Sequence, residues 1–277
     1  TKALKVVPED PLTLNNRGLA YIETGAYEKA LEDFSAAIKY DPQYAQAFHN
    51  RAGAYLFSGD IDAACRDYNQ AFRMGYSNSK MMIDRFCNVS NDSARAETFI
   101  MLSQEQINSY RPERAINLLE HALLLKPENP KVYYWMGSAY QQMKNFTASE
   151  TAYSKCIAYD PNNAIAYSKR AAIRGAFLSN PQGALSDLNI ALGINPDIEE
   201  ALYNRAVANA QNKKFEPAIA DLTKILDKNP SQSKALFMRG LTYMQMGQKD
   251  KACADWNSAL ALGNNDAANY INRFCKP

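Results

Sequence analysis

Residues 11–42 read PLTLNNRGLAYIETGAYEKALEDFSAAIKYDP, two apolar-periodic stretches of about a dozen residues parted by Glu23-Thr24-Gly25 and closed by Asp41-Pro42. Small and apolar side chains return every three or four residues on both sides of the glycine. That is the period of a helix with one buried face, so the stretch predicts a helix, a turn and an antiparallel helix. The pattern recurs along the chain. Pro8, Pro42, Pro127, Pro161, Pro196 and Pro230 are spaced 34, 85, 34, 35 and 34 residues apart, the long gap holding two periods and an insertion of about 17. A 34-residue frame therefore places seven repeats, starting at Pro11, Ala45, Ala96, Pro130, Ala164, Glu199 and Ser233. The fifth carries one extra residue in the turn Ser179-Asn180-Pro181.

Within the frame, the eighth, twentieth and twenty-seventh slots are small in 20 of 21 cases, Gly18, Ala30 and Ala37 in the first repeat, with Ile225 the exception. The twenty-fourth is bulky throughout, from Phe34 and Tyr68 to Trp256. Small against large lets paired helices interdigitate. Stretches such as Asn16-Arg17-Gly18-Leu19-Ala20-Tyr21, Gly25-Ala26-Tyr27-Glu28-Lys29-Ala30 and Asp41-Pro42 resemble the tetratricopeptide repeat (TPR) over nearly the whole chain. The aromatic at the eleventh slot, Tyr21, Tyr55, Tyr140 and Tyr243, gives way to Gln106, Arg174 and Asn209 in three repeats. A lone hairpin cannot bury its own apolar face, so consecutive repeats must stack into an all-α solenoid. The resemblance implies a right-handed superhelix whose first helices line a concave groove that binds other proteins. Residues 1–10 are expected to end a truncated preceding repeat, which would make the natural chain longer at its N-terminus.

Two internal comparisons sharpen the picture. Five repeats carry Arg at the seventh slot (Arg17, Arg51, Arg170, Arg205, Arg239) and the same five carry Asp at the twenty-third (Asp33, Asp67, Asp187, Asp221, Asp255). The other two lack both, with Leu102 and Leu118 in one and Met136 and Ala152 in the other. Arg17 and Asp33 are symmetric about Gly25, so each pair is expected to meet across its hairpin. Separately, Asp62 to Cys87 aligns without gaps to Asp250 to Cys275, with 11 of 26 positions identical. Each copy is a second helix, a turn and a short helix ending Arg-Phe-Cys, which should cap an exposed apolar face. The expected organisation is a first array with its cap (11–87), a joint (88–95) and a second array of five repeats with its cap (96–277). Cys65 and Cys87, like Cys253 and Cys275, lie 22 apart about a turn. Antiparallel helices set such residues opposite each other, as disulfides or as thiols packed under a cap. Cys156 fills a small slot.

Composition narrows the function. The 31 basic and 29 acidic side chains leave a net charge of +2, too little for a nucleic-acid field. The two histidines, His49 and His121, leave few acid–base or metal designs, and no nucleophile, phosphate-loop or metal-binding motif occurs, so neither catalysis nor a cofactor is expected. The candidate site is the groove, from slots two, five, nine, twelve and thirteen of the first helices. In the first array these supply Asn15, Leu19, Glu23, His49 and Phe57; in the second, Tyr134, Gln141, Gln142, Tyr203, Gln211, Phe237, Leu241 and Gln245. Aromatic rings offer contact area and amides satisfy an extended peptide's backbone. The competing reading is that the rings finish the packing between repeats. The carboxylate clamp of TPR co-chaperones is not assembled: Asn50 and Asn204 suit one of its slots, but Asn15 with Leu19 and Ser168 with Ala172 stand where its Lys and Asn belong. The Arg-Phe-Cys caps and the Asn-Arg-Gly style of repeat resemble TPR proteins of the Bacteroidetes, many exported, which implies a periplasmic or surface-associated place. Free thiols would instead point to the cytoplasm.

Overall fold

The structure, a computed structural model, describes residues 10–88 and 91–275. The expected end of a preceding repeat therefore lies outside the described residues, Asp10 excepted. The chain divides at Lys144/Asn145 into two compact units, not at the joint expected near residues 88–95. Among the described residues every regular element is helical.

In the first unit, α1 (Pro11–Glu23) pairs with α2 (Tyr27–Tyr40), α3 (Ala45–Ser58) with α4 (Ile61–Arg73), and α6 (Asp92–Asn108) with α7 (Pro112–Leu125). Between α4 and α6 lies the short α5 (Asn78–Met82), which widens into a π turn over Ile83–Cys87. The unit closes with α8 (Pro130–Gln142), packed on α7. The second unit opens with α9 (Phe146–Tyr159) against α10 (Ala164–Ala176). There α10 pairs with α11 (Pro181–Ile194), α12 (Glu199–Gln211) with α13 (Phe215–Lys228), and α14 (Ser233–Gln245) with α15 (Lys249–Ala261). It ends with α16 (Asp266–Tyr270) and a second π turn, Ile271–Cys275.

Each of the expected Arg–Asp pairs is formed. Arg51 donates from Nε to Asp67 Oδ2 at 2.6 Å and from Nη2 to Oδ1 at 2.9 Å, and Arg205 and Arg239 repeat that fork on Asp221 and Asp255. Arg17 and Arg170 do the same with Asp33 and Asp187. The remaining Nη1 reaches back 16 residues to the second helix of the preceding repeat, to Ser35 from Arg51, Ser154 from Arg170, Asn189 from Arg205 and Thr223 from Arg239. One guanidinium thus ties its own hairpin and its neighbour. Where the pair is missing, Leu102, Leu118, Met136 and Ala152 are buried in the same slots.

At regular joins the second helix of one repeat packs on the first helix of the next, as α2 does on α3 and α13 on α14. After α4 that face is taken by α5 and its π turn, and α16 with its π turn covers α15 in the same way. Cys65 is bonded to Cys87 and Cys253 to Cys275, with Cα atoms 5.4 and 5.6 Å apart. Phe86 of the first cap is buried, while Trp256 lies 5.1 Å from the Tyr270 ring beneath the second. Helix α6 starts at Asp92, capped by the Asn91 side chain accepting from Ala94 N, four residues ahead of the repeat frame. The expected joint is shorter by that turn. Across it, α7 meets α3, Arg95 pairs with Asp62 at 2.7 Å, and Arg85 pairs with Glu105.

Candidate functional site

Three fifth-slot side chains, Asn15, His49 and Phe237, pack on the element that follows their repeat. Asn15 is 1% exposed, and its Oδ1 accepts from Asn50 Nδ2 at 2.8 Å. His49 Nδ1 sits 2.9 Å from Ser79 Oγ in the cap, between the rings of Tyr68 and Tyr76. Burial draws its imidazole below the usual range. Phe237, at the same slot beneath the second cap, meets Tyr270 edge-on at 5.3 Å. Tyr203 is half-buried against the core of the second unit, and Tyr134 stands edge-on to Trp135 at 5.2 Å. Tyr203 and Phe237 thus contribute to packing within the second unit, as the competing reading expected.

Slots nine, twelve and thirteen divide by location. In the first unit Phe57 stacks on Tyr27 at 5.3 Å with the Arg114 guanidinium 5.8 Å from its ring centroid, and Glu23 lies 3.0 Å from Arg111 and 3.1 Å from Arg114. Both were expected to face a peptide; both are engaged by α7 and the turn before it. Gln142 donates to the Ile107 carbonyl at 3.0 Å. Leu19 is exposed, and Gln141 is half-buried.

The second unit is different. Gln211 and Gln245 are exposed, and Leu241 is half-buried beside Met244. Between α10, α11 and α12 opens a cleft of about 280 Å³ lined by Ala172, Gly175, Ala176, Asn204, Val207 and Gln211. The fifth repeat is small at slots nine, twelve and thirteen, where its neighbours carry larger side chains, and that hollows the surface. This departure was legible in the sequence, yet reading each slot for rings and amides passed over it. Next to the cleft, the hydroxyl of Ser168 is buried without a hydrogen bond, and Arg174, at the slot meant for an aromatic, bridges Glu150 and Asp187 at 2.6 and 2.9 Å.

Sequence profiles agree with this architecture. A "TPR repeat" profile matches residues 18–59, and "Tetratricopeptide repeat" profiles match 45–74, 107–173, 176–233 and 234–262, together most of the chain. The chain belongs to the tetratricopeptide-repeat family. Among solved TPR structures it resembles YrrB, described as a TPR protein with an unusual peptide-binding site, with TM-score 0.56 and 19% identity over 64% of this chain and 92% of that one. It also resembles MamA from Desulfovibrio magneticus RS-1, with TM-score 0.55 and 20% identity over 60% of this chain and 94% of that one. At such identities the likeness is one of fold. Among curated proteins, the adenylyltransferase fic-1 of Caenorhabditis elegans is 32% identical over 84 residues, 29% of this chain and 16% of its own length. The co-chaperone sgt12 of Aspergillus fumigatus is 44% identical over 45 residues, 16% of this chain and 13% of its own length. The TPR chain thus spans about a sixth or less of these relatives. Among its described residues no helix is long and apolar enough to cross a membrane, and no cluster of three His, Cys, Asp or Glu is placed to hold a metal. Its repeats make it a protein–protein interaction scaffold.

Proposed function

We propose that this scaffold is non-enzymatic and binds extended peptide segments of partner proteins on the first helices of its second unit, α10, α12 and α14. The observation that carries the reading is the cleft at Ala172, Gly175 and Ala176, lined on α12 by Asn204, Val207 and Gln211. Small residues admit an anchoring side chain, and exposed amides can pair with the backbone on either side of it. The groove face carries few charges, so the contact would be dispersive and hydrogen-bonded rather than salt-driven.

Selecting linear peptides from a displayed library tests this. Enriched peptides should lose binding to Gly175→Leu, which fills the cleft at a position where an added Cβ meets only Ala184 at 3.5 Å. They should also lose binding to Gln211→Ala/Gln245→Ala. Peptides that bind both variants as well as they bind the parent would place recognition elsewhere. The two capping disulfides further support a place in an oxidising compartment, periplasmic or at the cell surface.

A further inference from the structure

A second site lies away from the groove, in the first unit, where the turn after α1 meets the turn before α7. Its walls include Glu23, Tyr110, Arg111, Glu113, Arg114 and Asn117, two carboxylates against two guanidiniums. Three features there are not explained by packing, and an exposed ring adjoins them. Arg114 is 7% exposed, yet its Nη2 makes no hydrogen bond; the Glu23 carboxylate lies 3.1 Å away but out of line. Asn117 Oδ1 is buried and accepts nothing. Helix α7 has no side-chain cap, and since Pro112 has no N–H and Ala115 N donates to the Arg111 carbonyl, the amides of Glu113 and Arg114 are the ones left free at the positive end of a 14-residue helix. Tyr110 holds φ +57, as Lys144, Ser179 and Lys213 do at +58, +50 and +58 in the corresponding turns, and its ring, which lines the pocket, is 86% exposed.

Glu23 is the provisional occupant. It terminates α1, where the helix dipole disfavours a negative charge, and its side chain is more than half exposed. It can leave at small cost. A carboxylate from outside could then take both guanidiniums and the free amides of α7, a neighbouring N–H could donate to Asn117 Oδ1, and an apolar body could lie on Tyr110.

We propose that this pocket binds a carboxylate of a partner peptide, with Glu23 as the internal stand-in that the ligand displaces. It is independent of the groove and would survive the failure of that reading.

The test follows the Arg Nε–H resonances of the labelled full chain during titration with three probes. These are acetyl-Tyr-Glu-Glu-amide, acetyl-Tyr-Gln-Gln with a free C-terminus, and inorganic phosphate; acetyl-Tyr-Gln-Gln-amide is the neutral control. Saturable shifts of Arg111 and Arg114 with either carboxylate peptide are expected, and which one saturates tells a side-chain from a terminal carboxylate. Arg114→Gln risks unfolding, so the half-exposed Arg111→Gln carries the test, with binding weakened about tenfold at unchanged Tm. Glu23→Gln should tighten binding about fivefold. Tyr110→Gly should raise Tm while weakening binding, a combination that a purely structural Tyr110 would not give. Equal shifts with the neutral control, saturation by phosphate alone, or unchanged affinity in Glu23→Gln would each overturn the proposal.

Discussion

Replacing Asp67 by Asn tests whether the Arg–Asp forks are structural pairs that matter chiefly when halved. Asp67 is buried and accepts from Arg51 at 2.6 and 2.9 Å, while the third donor of Arg51 is held by Ser35 at 3.1 Å. The amide keeps the volume but turns an NH₂ toward a guanidinium and leaves the positive charge unbalanced. Removing one partner of a buried pair costs about 3–5 kcal/mol. The Arg51 side chain is 19% exposed, so the low end, about 3 kcal/mol, is expected. The chain supplies its own control in the repeat that buries Leu102 and Leu118 at these two slots. Arg51→Leu/Asp67→Leu should therefore lie within about 1 kcal/mol of the parent, because removing both charges also removes both desolvation penalties. Urea unfolding followed by circular dichroism at 222 nm reads both values. A single substitution costing under about 1 kcal/mol, or a double one costing as much as the single, would refute the reasoning.

Four further outcomes follow from the structure. Intact mass of the unreduced, denatured protein should show one alkylated thiol, Cys156, and five would exclude both disulfides; burial pushes that thiol up to about 12, so it should resist alkylation in the folded state at pH 8. Each bridge closes a loop of 22 residues, so Cys65→Ser should cost about 3 kcal/mol in the same urea series. Gly25→Ala and Gly59→Ala both place a side chain in left-handed backbone, at φ +73 and +91, for about 1 kcal/mol each. Only at Gly59 would the new Cβ fall 2.5 Å from His121 Nδ1, so its Tm should drop by clearly more than that of Gly25→Ala, and equal drops would contradict the packing of α7 on that turn. His49 is held below its unfolded value of about 6.5, so the unfolded chain binds the extra proton and stability should fall as pH drops through about 6.5 toward the folded value. His49→Phe/Ser79→Ala, which copies Phe237 and Ala267 at the other cap, should flatten that part of the Tm–pH curve.

Much of this molecule is written in its 34-residue period. The starts of six of the seven first helices coincide with the repeat frame, and the Arg–Asp forks appear as paired substitutions between repeats. The reason is that these contacts lie inside one hairpin or between regular neighbours, so each repeat states them again and a comparison within the chain exposes them. Contacts across the inserted cap are stated once. Nothing in a single repeat says that Glu23 and Phe57 will meet Arg111 and Arg114, or that His49 will lean on Ser79. Those meetings arise because α5 and its π turn occupy the face of α4 and send α7 toward α3. The candidate site divides along the same line. Its amides and aliphatic side chains could be assigned to slots from sequence, but which slots remain open to a ligand depends on what packs over them. That is a property of neighbours distant in the chain, so only the tertiary structure decides it.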